Sequence, residues 1–481
     1  MKEKIKKLSD YKWLIPKELR AGMRVDALFY ANDDIFTTIE DTAVEQLTNV
    51  ACLPGVIEPV IGMPDMHWGY GLPMGAVGVF DKDEGIISAG CTGFDINCGI
   101  HLLRTNLTAN AIKPKLRQLV DTLFKNIPCG VGASSKLRLN KQELKEVLIH
   151  GAEWAVKQGY GIPDDLTHIE ENGCLRGADP TNVSREAFSR GAPQLGTLGA
   201  GNHFLEIQAV SHIYDPEIAN KFGIIEEGQI TIMVHCGSRG LGHQVASDYL
   251  EIHKAAAKKY GIKLPDPQLV CAPANSKEGQ AYFAAMKAAA NYAFCNRQII
   301  AHWIRESFAT VLEKKWEELD MHTIYDVCHN ICKLEKHTIN GKQREVYVHR
   351  KGATRAFAAG HKEVTEVYRE VGQPVLIAGS MGTASYILVG TELAMQEAYG
   401  SSCHGAGRAA SRHGAIKKYR GEDIKRELEA KGQIIRATHP KILAEEAPGA
   451  YKDVDAVVES VHQAGISKKV ARMIPLGVAK G

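Results

Sequence analysis

The clearest pattern along the chain is a series of short apolar runs, each followed by a loop of glycine and polar residues. Residues 229–234 are rich in Ile, Met and Val, which predicts a buried strand, and they lead into a glycine-rich loop at residues 236–242. Residues 346–349 and 374–377 are predicted to be short strands that also end in polar loops. Such loops often carry functional side chains, so all three are candidates for a site.

Apolar residues recur at helical spacing over residues 243–259 and again over residues 277–316. The first segment is predicted to be an amphipathic helix. The second, rich in Ala, Gln and Lys, is predicted to be one long helix or two abutting helices that serve as scaffold. Residues 409–419 are also predicted to be helical, which would place His404 near a helix N-terminus, where backbone N–H groups can hold a phosphate.

Glycine-rich segments recur from about residue 54 to residue 414 and alternate with the predicted strands and helices. A chain of 481 residues is long enough for two or three domains, but it contains no low-complexity linker, long charge block or fixed-period repeat. We therefore predict a single catalytic domain over residues 1–481. Its fold class is α+β, in the form of one large mixed unit with peripheral helices.

Composition matters mainly for what it excludes. Hydrophobic residues make up 44% and charged residues 24% of the chain, and the formal net charge is +2, so any site for a polyanion must be local. No run of about 18 apolar residues occurs, and the charged start has no apolar stretch behind it, which favours a cytoplasmic protein without a membrane span. The 11 cysteines include no Cys-x-x-Cys pair, so reduced thiols are expected.

The strongest candidates for chemistry are a carboxylate and a thiol three residues apart, Asp95 and Cys98, in a segment bordered by glycines. A thiolate can bridge two cations while a nearby carboxylate binds one of them. Suitable histidines are His203, in a glycine-bordered segment, and His235 and His329, at the ends of apolar runs. If these five side chains converge, they form a two-metal catalytic site.

The other histidines and cysteines are weaker candidates, because a lone histidine is more often a core or surface residue than a ligand. His253 and His302 fall in helical stretches and are expected to be structural. Cys328 and Cys332 lack the spacing of a zinc knuckle and are expected to lie in the core. Cys91 is either a second thiol near the metals or a small residue in a tight turn, and the turn is favoured.

Several specific blocks resemble the RtcB family of RNA-splicing ligases, in the same order and over nearly the whole chain. One block is Met-Pro-Asp-Met-His-Trp-Gly-Tyr-Gly at residues 63–71. The others are residues 93–99, 201–206, 235–244, 325–330, 349–355, 379–385, 403–408 and 477–481. The family joins RNA 2′,3′-cyclic phosphate or 3′-phosphate ends to 5′-hydroxyl ends, using GTP and manganese.

The resemblance implies a complex mixed α+β architecture and a specific set of ligands. Asp95 and His203 would hold one manganese, His235 and His329 would hold a second, and Cys98 would bridge the two. The implied nucleotide contacts are Asn202, Phe204, Leu205, Glu206, Asn330, Ala378, Gly379, Ser380, Met381, Ser385, Gly405, Ala406, Gly407 and Lys480.

The resemblance also implies that His404 is the nucleophile that becomes covalently guanylylated. The RNA 3′-phosphate would then attack the bound GMP, and the 5′-hydroxyl of a second strand would attack the activated end. Selection of guanine has a physical basis, because Glu206 can accept hydrogen bonds from N1–H and the 2-amino group while Lys480 donates to O6 or N7.

RNA phosphates are expected to contact cationic side chains in or next to the site loops. The candidates are Arg239, Lys351, Arg355, Arg408 and Arg412. The resemblance implies RNA, such as tRNA halves, as the substrate and the small protein archease as an activating partner. A monomer is expected, and a membrane partner is not.

A few positions depart from the family pattern. Ala89 and Cys91 stand where Pro and Gly are common, Cys236 follows His235 where Thr or Ser is usual, and Ala378 replaces a frequent Pro. None of the four is an expected metal ligand. The additional thiol of Cys236 bears on metal preference and oxidation, since soft metals such as zinc could compete with manganese.

Two other classes of function stay open at this point. A dinuclear metallohydrolase acting on phosphate esters would need the metal cluster but not His404, and it would release free phosphate without forming a covalent nucleotide. A nucleic-acid-binding scaffold with a structural metal would show a closed zinc site with four ligands. Two ligand shells that share one thiolate would be unusual for a purely structural site.

Overall fold

The computed structural model describes residues 2–481 and shows a mixed α+β protein, which confirms the predicted fold class. The strands are β1 Lys6–Ser9, β2 Lys12–Ile15, β3 Ala27–Tyr30, β4 Val60–His67, β5 Met74–Asp81, β6 Ile86–Ile87, β7 Gly99–Thr108, β8 Phe204–Ile213, β9 Gln229–Cys236, β10 Ala272–Pro273, β11 His322–Cys328, β12 Asn330–Ile339, β13 Lys342–Lys351, β14 Ala353–Arg355, β15 Pro374–Ile377, β16 Ser385–Gly390, β17 Ser401–Cys403, β18 Ile434–Ala437 and β19 Ser467–Lys480.

The helices alternate with these strands along the chain. They are α1 Asp33–Thr38, α2 Asp41–Val50, α3 Ala109–Ile112, α4 Leu116–Asn126, α5 Lys141–His150, α6 Ala152–Lys157, α7 Pro163–Thr167, α8 Arg185–Gly191, α9 Pro216–Lys221, α10 Arg239–Lys259, α11 Lys277–Leu312, α12 Glu392–Glu397, α13 Arg412–Lys418, α14 Gly421–Ala430, α15 Pro440–Glu445 and α16 Val454–Gln463. Among the described residues, none of these helices has both the length and the apolar character needed to cross a bilayer.

Two large sheets organise the strands. The first has seven strands in the order β1-β2-β3-β4-β5-β13-β12. The second has eight strands, in the order β11-β7-β9-β8-β19-β16-β15 with β18 beside β19. Neither order follows the sequence. The chain leaves the first sheet after β5, forms much of the second sheet, and returns to the first for β12 and β13.

Helix α11 forms the scaffold behind the second sheet. Its start is capped by Ser276, whose hydroxyl accepts the N–H of Gly279 at 3.1 Å, and it ends where Glu313 takes a left-handed conformation. Apolar side chains cover most of its circumference, including Phe294 and Ile300 in the main hydrophobic core. A helix that is apolar on nearly all sides must be buried, and α11 packs against α4, α5, α6 and α10.

The sequence predicted several element bounds closely. The strand predicted at residues 229–234 is β9, residues 374–377 are β15, and residues 346–349 lie within the longer β13. Residues 277–316 contain one helix rather than two. The helix predicted from residue 243 starts four residues earlier, at Arg239, and the helix predicted over residues 409–419 covers only Arg412–Lys418.

Strands β12 and β13 form a long hairpin that joins the site to the outside of the molecule. Its pairing runs from Asn330 opposite Lys351 to Ile339 opposite Lys342. The two turn residues, Asn340 and Gly341, are exposed and have φ angles of 51° and 74°. Asn-Gly is the dipeptide that favours this type of two-residue turn.

Candidate active site

The predicted metal ligands lie at one end of four neighbouring strands. Cys98 immediately precedes β7, His203 immediately precedes β8, His235 is the penultimate residue of β9, and His329 follows β11. These strands are adjacent in the order β11-β7-β9-β8, and their pairing register aligns the ends that carry the ligands. The sheet therefore gathers side chains that lie far apart in the sequence.

The loop that carries Asp95 and Cys98 is fixed from behind. Asn97 has a left-handed φ of 55°, and its N–H donates to the carbonyl of Asn330 at 2.7 Å. Arg297 of α11 donates to the carbonyl of Asn97 at 2.7 Å. These contacts hold the loop in the conformation that directs the carboxylate and the thiol to the same side.

The five predicted ligands form two groups that share Cys98. In the first group, His203 Nε2 lies 2.8 Å from Asp95 Oδ2 and 3.4 Å from Cys98 Sγ. In the second group, His235 Nε2 lies 3.2 Å from both Cys98 Sγ and His329 Nε2. Within each group the ligand atoms lie within 4.8 Å of one another. One thiol, one carboxylate and three imidazoles at these separations fit two cations bridged by sulfur.

Burial sets the protonation of these groups. It lowers the pKa of His235 and His329 well below the usual value, so both rings are neutral and offer a lone pair. Burial, together with the Asp95 charge, raises the pKa of the Cys98 thiol to about 12. Burial also lowers the pKa of His203, but neighbouring thiols and Asp95 outweigh it and leave this pKa well above the usual value. Metal binding must therefore displace protons from Cys98 and His203.

His404 follows β17 and stands beside the second metal group, with its ring centroid 4.6 Å from that of His329. Its Nδ1 lies 2.6 Å from Oδ2 of Asp65, which also accepts the backbone N–H groups of His404 and Gly405 at 3.1 and 3.3 Å. Because a carboxylate can only accept, Nδ1 carries the proton and Nε2 keeps its lone pair. This is the tautomer that a nucleophilic Nε2 requires.

The prediction that His404 lies at a helix N-terminus is wrong. Helix α13 begins only at Arg412, and the intervening segment is not helical. Gly407 has a φ of 73°, and a Cβ atom on it would lie 2.3 Å from the carbonyl oxygen of Asp65. The close approach of these two backbone segments, rather than a helix end, fixes the position of His404.

A cleft opens beside this histidine. Its wall includes most of the expected nucleotide contacts: Asn202, Phe204, Ala378, Gly379, Ser380, Met381, Gly405, Ala406, Gly407 and Lys480. Leu205, Glu206, Asn330 and Ser385 are not part of this wall. Leu205 packs in the hydrophobic core, and the Asn330 amide instead donates to the carbonyl of Asp95 at 3.1 Å. Leu205 and Asn330 therefore have structural roles in this conformation.

Glu206 lies just behind the wall, two residues after Phe204 on the same face of β8. Its Oε2 accepts from the Gln208 amide at 2.8 Å, while its buried Oε1 has no hydrogen-bond partner. Burial raises the pKa of Glu206 to about 7, against the effects of Gln208 and the Lys480 charge. Lys480 Nζ lies 3.8 Å from Glu446, and burial lowers the pKa of this lysine.

Two of the candidates for RNA phosphate contacts are enclosed in the protein. Arg355 is 1% exposed, with its guanidinium 3.2 Å from Glu170 and 2.7 Å from Glu171. Lys351 is 3% exposed and donates to the backbone carbonyls of Tyr70 and Gly90. Because both cations are used inside the protein, we withdraw Arg355 and Lys351 as phosphate contacts.

The other three candidates are better placed. Arg408 and Arg412 line the cleft, where they lie 3.1 Å from Glu446 and 3.2 Å from Glu445 respectively. Arg239 is partly exposed and close enough for its charge to help lower the pKa of Asp95. For these three arginines, a contact with RNA phosphates stays a prediction.

Sequence reasoning missed part of the site. Asp65, His67, Met74, Glu446 and Tyr451 contact His404 or line the cleft, but none was a candidate. Asp65 and His67 lie in the block at residues 63–71 that carries the family resemblance, so a signal for them was present. Glu446 and Tyr451 lie outside every such block, and no local pattern marks them.

The weaker candidates lie where the structural interpretation predicts. Cys328 and Cys332 are in the main hydrophobic core. Cys91 ends a short 3-10 turn, and His253 is buried in α10. His302 lies on α11, 3.4 Å from Glu306. None of these five residues belongs to either metal group.

The similarity of the chain to known proteins agrees with this geometry. A family model described as "tRNA-splicing ligase RtcB" matches residues 46–481. The chain is 58% identical over 477 residues to the tRNA-splicing ligase RtcB of Archaeoglobus fulgidus, with 99% of each chain covered. The corresponding protein of Thermococcus kodakarensis is 56% identical over 478 residues, with 99% of each chain covered. That of Methanococcus maripaludis is 50% identical over 481 residues, with 100% of each chain covered. The chain therefore belongs to the tRNA-splicing ligase RtcB family.

Proposed function

We propose that this protein is an RNA ligase that joins an RNA 3′-phosphate or 2′,3′-cyclic phosphate end to a 5′-hydroxyl end. The general activity, RNA ligation, is supported by the relatives, which are named tRNA-splicing ligases. The more specific proposal is that GTP first guanylylates His404 and that GMP is then passed to the RNA 3′-phosphate.

The observation that carries this proposal is the orientation of His404. Nδ1 of His404 donates to Oδ2 of Asp65 at 2.6 Å, and the ring lines the cleft next to His329 of the second metal group. A dinuclear hydrolase would need the metal ligands but would form no covalent nucleotide on this histidine. In covalent catalysis the nucleophilic side chain is typically oriented by a hydrogen bond to a neighbouring group, as His404 is by Asp65.

The metal centre and the cleft would share the task of holding phosphate charge. Two manganese ions at the five ligands would act as Lewis acids on the phosphoryl oxygens. Arg408 and Arg412 line the cleft and can bind phosphate oxygens by charge-assisted hydrogen bonds. The thiol and three imidazoles would also suit zinc, so the choice of manganese is part of the proposal.

The proton and bond changes are simple in this arrangement. Nε2 of His404 forms a bond to the α-phosphorus of GTP as the bond to pyrophosphate breaks, while the Nδ1 proton stays with the ring against Asp65. An oxygen of the RNA 3′-phosphate then attacks the same phosphorus, and His404 leaves as a neutral imidazole. Finally, the 5′-hydroxyl attacks the RNA 3′-phosphorus, GMP departs, and the hydroxyl proton passes to water. A 2′,3′-cyclic phosphate must first react with water, which breaks the bond to the 2′-oxygen and leaves the 3′-phosphate.

The first experiment is intact mass spectrometry after incubation with GTP and manganese. We expect the wild-type mass to rise by one GMP, through a bond that acid breaks, and the His404→Ala variant to show no increase. His413→Ala is the matched control, because His413 is exposed on α13 and should leave the adduct unchanged. A parallel assay with 3′-phosphate and 5′-hydroxyl oligonucleotides tests sealing.

The same experiment separates the alternatives. Absence of the adduct with manganese bound, even after addition of archease, would overturn the guanylylation step. Release of free phosphate from phosphate esters without any adduct would indicate a metallohydrolase. A tightly held zinc with four protein ligands and no open position would indicate a structural site.

Several expectations from the sequence are part of this proposal without structural support. They are tRNA halves or other broken RNA as the substrate, activation by archease, a monomeric state and a cytoplasmic location. The single domain over residues 1–481 also stays a prediction.

A further inference from the structure

Lys452 is a buried cation behind the cleft. It is 5% exposed, and its Nζ donates to the carbonyl of Pro64 at 3.1 Å and to that of Met66 at 2.6 Å, on either side of Asp65. Its backbone N–H donates to the carbonyl of Gly407 at 2.9 Å. A single lysine thus contacts both backbone segments that position His404.

This lysine is unusual because it forms no ion pair with a carboxylate among the described residues. Other buried cations have such partners, as Arg297 does with Asp326 at 2.8 Å. Lys351 is the exception and resembles Lys452, since it also donates to backbone carbonyls. Burying an ammonium without a nearby anion costs free energy. The buried ammonium of Lys452 therefore indicates that a negative charge lies close to it.

The negatively charged group beside these contacts is the carboxylate of Asp65. Asp65 is fully buried, its Oδ2 accepts three N–H groups, and its Oδ1 has no hydrogen-bond partner. Burial lowers the pKa of Lys452 to about 8, while Asp65 and then Glu40 raise it and Lys2 lowers it further. His67 also faces this group, and burial lowers its pKa to about 4, so it is neutral near pH 7. Asp65 is therefore the principal anion next to the ammonium.

Loss of the ammonium would change the tautomer of His404. Without the facing ammonium, the Asp65 carboxylate is held less firmly and its hydrogen bond with Nδ1 of His404 weakens. The proton of the neutral ring is then free to move to Nε2. In that tautomer Nε2 has no lone pair with which to attack phosphorus.

We propose that Lys452 is the positioning residue whose charge holds the Asp65 carboxylate against Nδ1 of His404 and thereby keeps the Nε2 lone pair of His404 free. The inference rests on the proposed function, because it assigns a role in the guanylylation of His404. Lys452 itself exchanges no proton during the reaction and touches no substrate. It acts through Asp65 alone.

The test is a double-mutant cycle measured by single-turnover formation of the GMP adduct. Lys452→Met keeps the length of the side chain and removes the charge, and we expect the rate to fall on the order of 10²-fold, the scale on which a correctly held proton contributes. In the Asp65→Asn background, where no carboxylate needs compensation, the same change should cost less than about twofold. Lys221→Met, at an exposed lysine of α9, is the control and should leave the rate unchanged.

The pH profile supplies a second readout, because a merely structural lysine would not affect it. The wild-type rate should decline above about pH 8, where Lys452 loses its proton, and Lys452→Arg should move this decline to higher pH. Thermal unfolding and the affinity for a nonhydrolysable GTP analogue show whether each variant is folded.

Three outcomes overturn the inference. The first is a folded Lys452→Met variant that forms the adduct at the wild-type rate. The second is a Lys452→Met change that lowers the rate of adduct formation by the same factor in the wild-type and Asp65→Asn backgrounds. That result would mean that the lysine only holds the backbone in place. The third is a wild-type protein that forms no adduct, and in that case the proposed function fails together with the inference. The first two outcomes leave the proposed function intact.

Discussion

At the scale of single residues, burial raises the pKa of some acidic groups in the site. Glu206 is the clearest case, because one carboxylate oxygen has no hydrogen-bond partner and burial raises the pKa from 4.5 to about 7. The folded state therefore binds a proton more tightly than the unfolded chain. The contribution of Glu206 to stability is complete below pH 4.5 and is lost as the pH rises through 7.

Glu206→Gln should make the ligand-free protein more stable at alkaline pH. A neutral amide can still accept from Gln208 but has no charge to bury. We compare the free energy of unfolding of Glu206→Gln with that of wild type. The difference in favour of the variant should increase by about 2 kcal/mol from about pH 5.5 to pH 8. Urea unfolding at both pH values measures this, with the exposed Glu227→Gln as control. Parallel pH dependence in wild type and Glu206→Gln would contradict the burial argument.

The same substitution should weaken the preference for GTP. The proposal uses an ionised Glu206 to accept hydrogen bonds from guanine N1–H and the 2-amino group, which adenine cannot satisfy. Adduct formation with GTP and with ATP, compared in wild type, Glu206→Gln and Glu227→Gln, measures the preference. An unchanged ratio in Glu206→Gln would assign guanine recognition to other residues of the cleft.

Metal binding should release protons. The thiol of Cys98, with a pKa of about 12, must ionise to bind, and His203 must lose the proton it shares with Asp95. We expect release of about one to two protons per chain and an affinity that rises at least about tenfold per pH unit near neutrality. Calorimetric titration with manganese in buffers of different ionisation enthalpy counts the protons. A heat of binding that is independent of the buffer would refute this prediction.

The sequence indicated the metal ligands because Asp95, Cys98 and His203 lie in glycine-bordered segments whose residue types are informative by themselves. It could not indicate the Asp65 contact with His404, since these residues are 339 positions apart and the block at residues 63–71 does not show which residue Asp65 contacts. No local sequence pattern marks Lys452 either. Its role becomes visible only when the backbone brings three separate segments together.

At the scale of elements, helix α11 connects the strands that carry the ligands. Its Arg297 makes a two-atom ion pair with Asp326 of β11 and donates to the carbonyls of Asn97 and of Cys236, at the end of β9. Both partners of the pair are fully buried. One guanidinium thus holds β11, β9 and the metal loop in a common arrangement.

Arg297→Met should destabilise the protein and loosen the metal centre. Removing one partner of a buried pair leaves the Asp326 charge uncompensated, which costs about 3–5 kcal/mol. Urea unfolding and manganese titration measure the two effects, and Arg117→Met, on the exposed face of α4, is the control. A loss below about 1 kcal/mol would show that the pair contributes little to either property.

The sequence predicted the helices and strands where hydrophobic spacing is strong, as in α11, β9 and β15. It failed for residues 409–411, where small residues permit a helix but tertiary contacts, such as those of the Ala409 and Ala410 N–H groups with the carbonyl of Ala450, prevent it. Gly407 must approach the backbone of Asp65, and Arg408 extends to bond Tyr451 and Glu446. Propensity carries no information about such contacts.

At the scale of the whole molecule, the two large sheets cannot be separated by cutting the chain once. The first sheet takes β1–β5 from the start of the chain and β12 and β13 from its second half, while β7, β8 and β9 of the second sheet lie between them. Trp13 belongs to the core of the first sheet and Trp303 to the core behind the second. These two side chains can report on each core separately.

We predict that the two cores unfold together, as expected for a single domain. Variants that retain only Trp13 or only Trp303, with Phe at the other tryptophan positions, should give fluorescence transitions in urea with the same midpoint. Circular dichroism of the same samples provides the probe-independent control. Two midpoints separated beyond the error of the fit would divide the chain into two folding units.

The β12–β13 hairpin has a practical consequence for experiments on this enzyme. Its exposed Asn340–Gly341 tip lies ten residue steps from the Asn330–Lys351 pair at the site, a distance of about 33 Å along the strands. A dye or an affinity peptide inserted at this turn would be remote from the cleft and would disturb no paired strand residue. The hairpin tip is therefore a suitable attachment point for immobilising the protein and observing single turnovers.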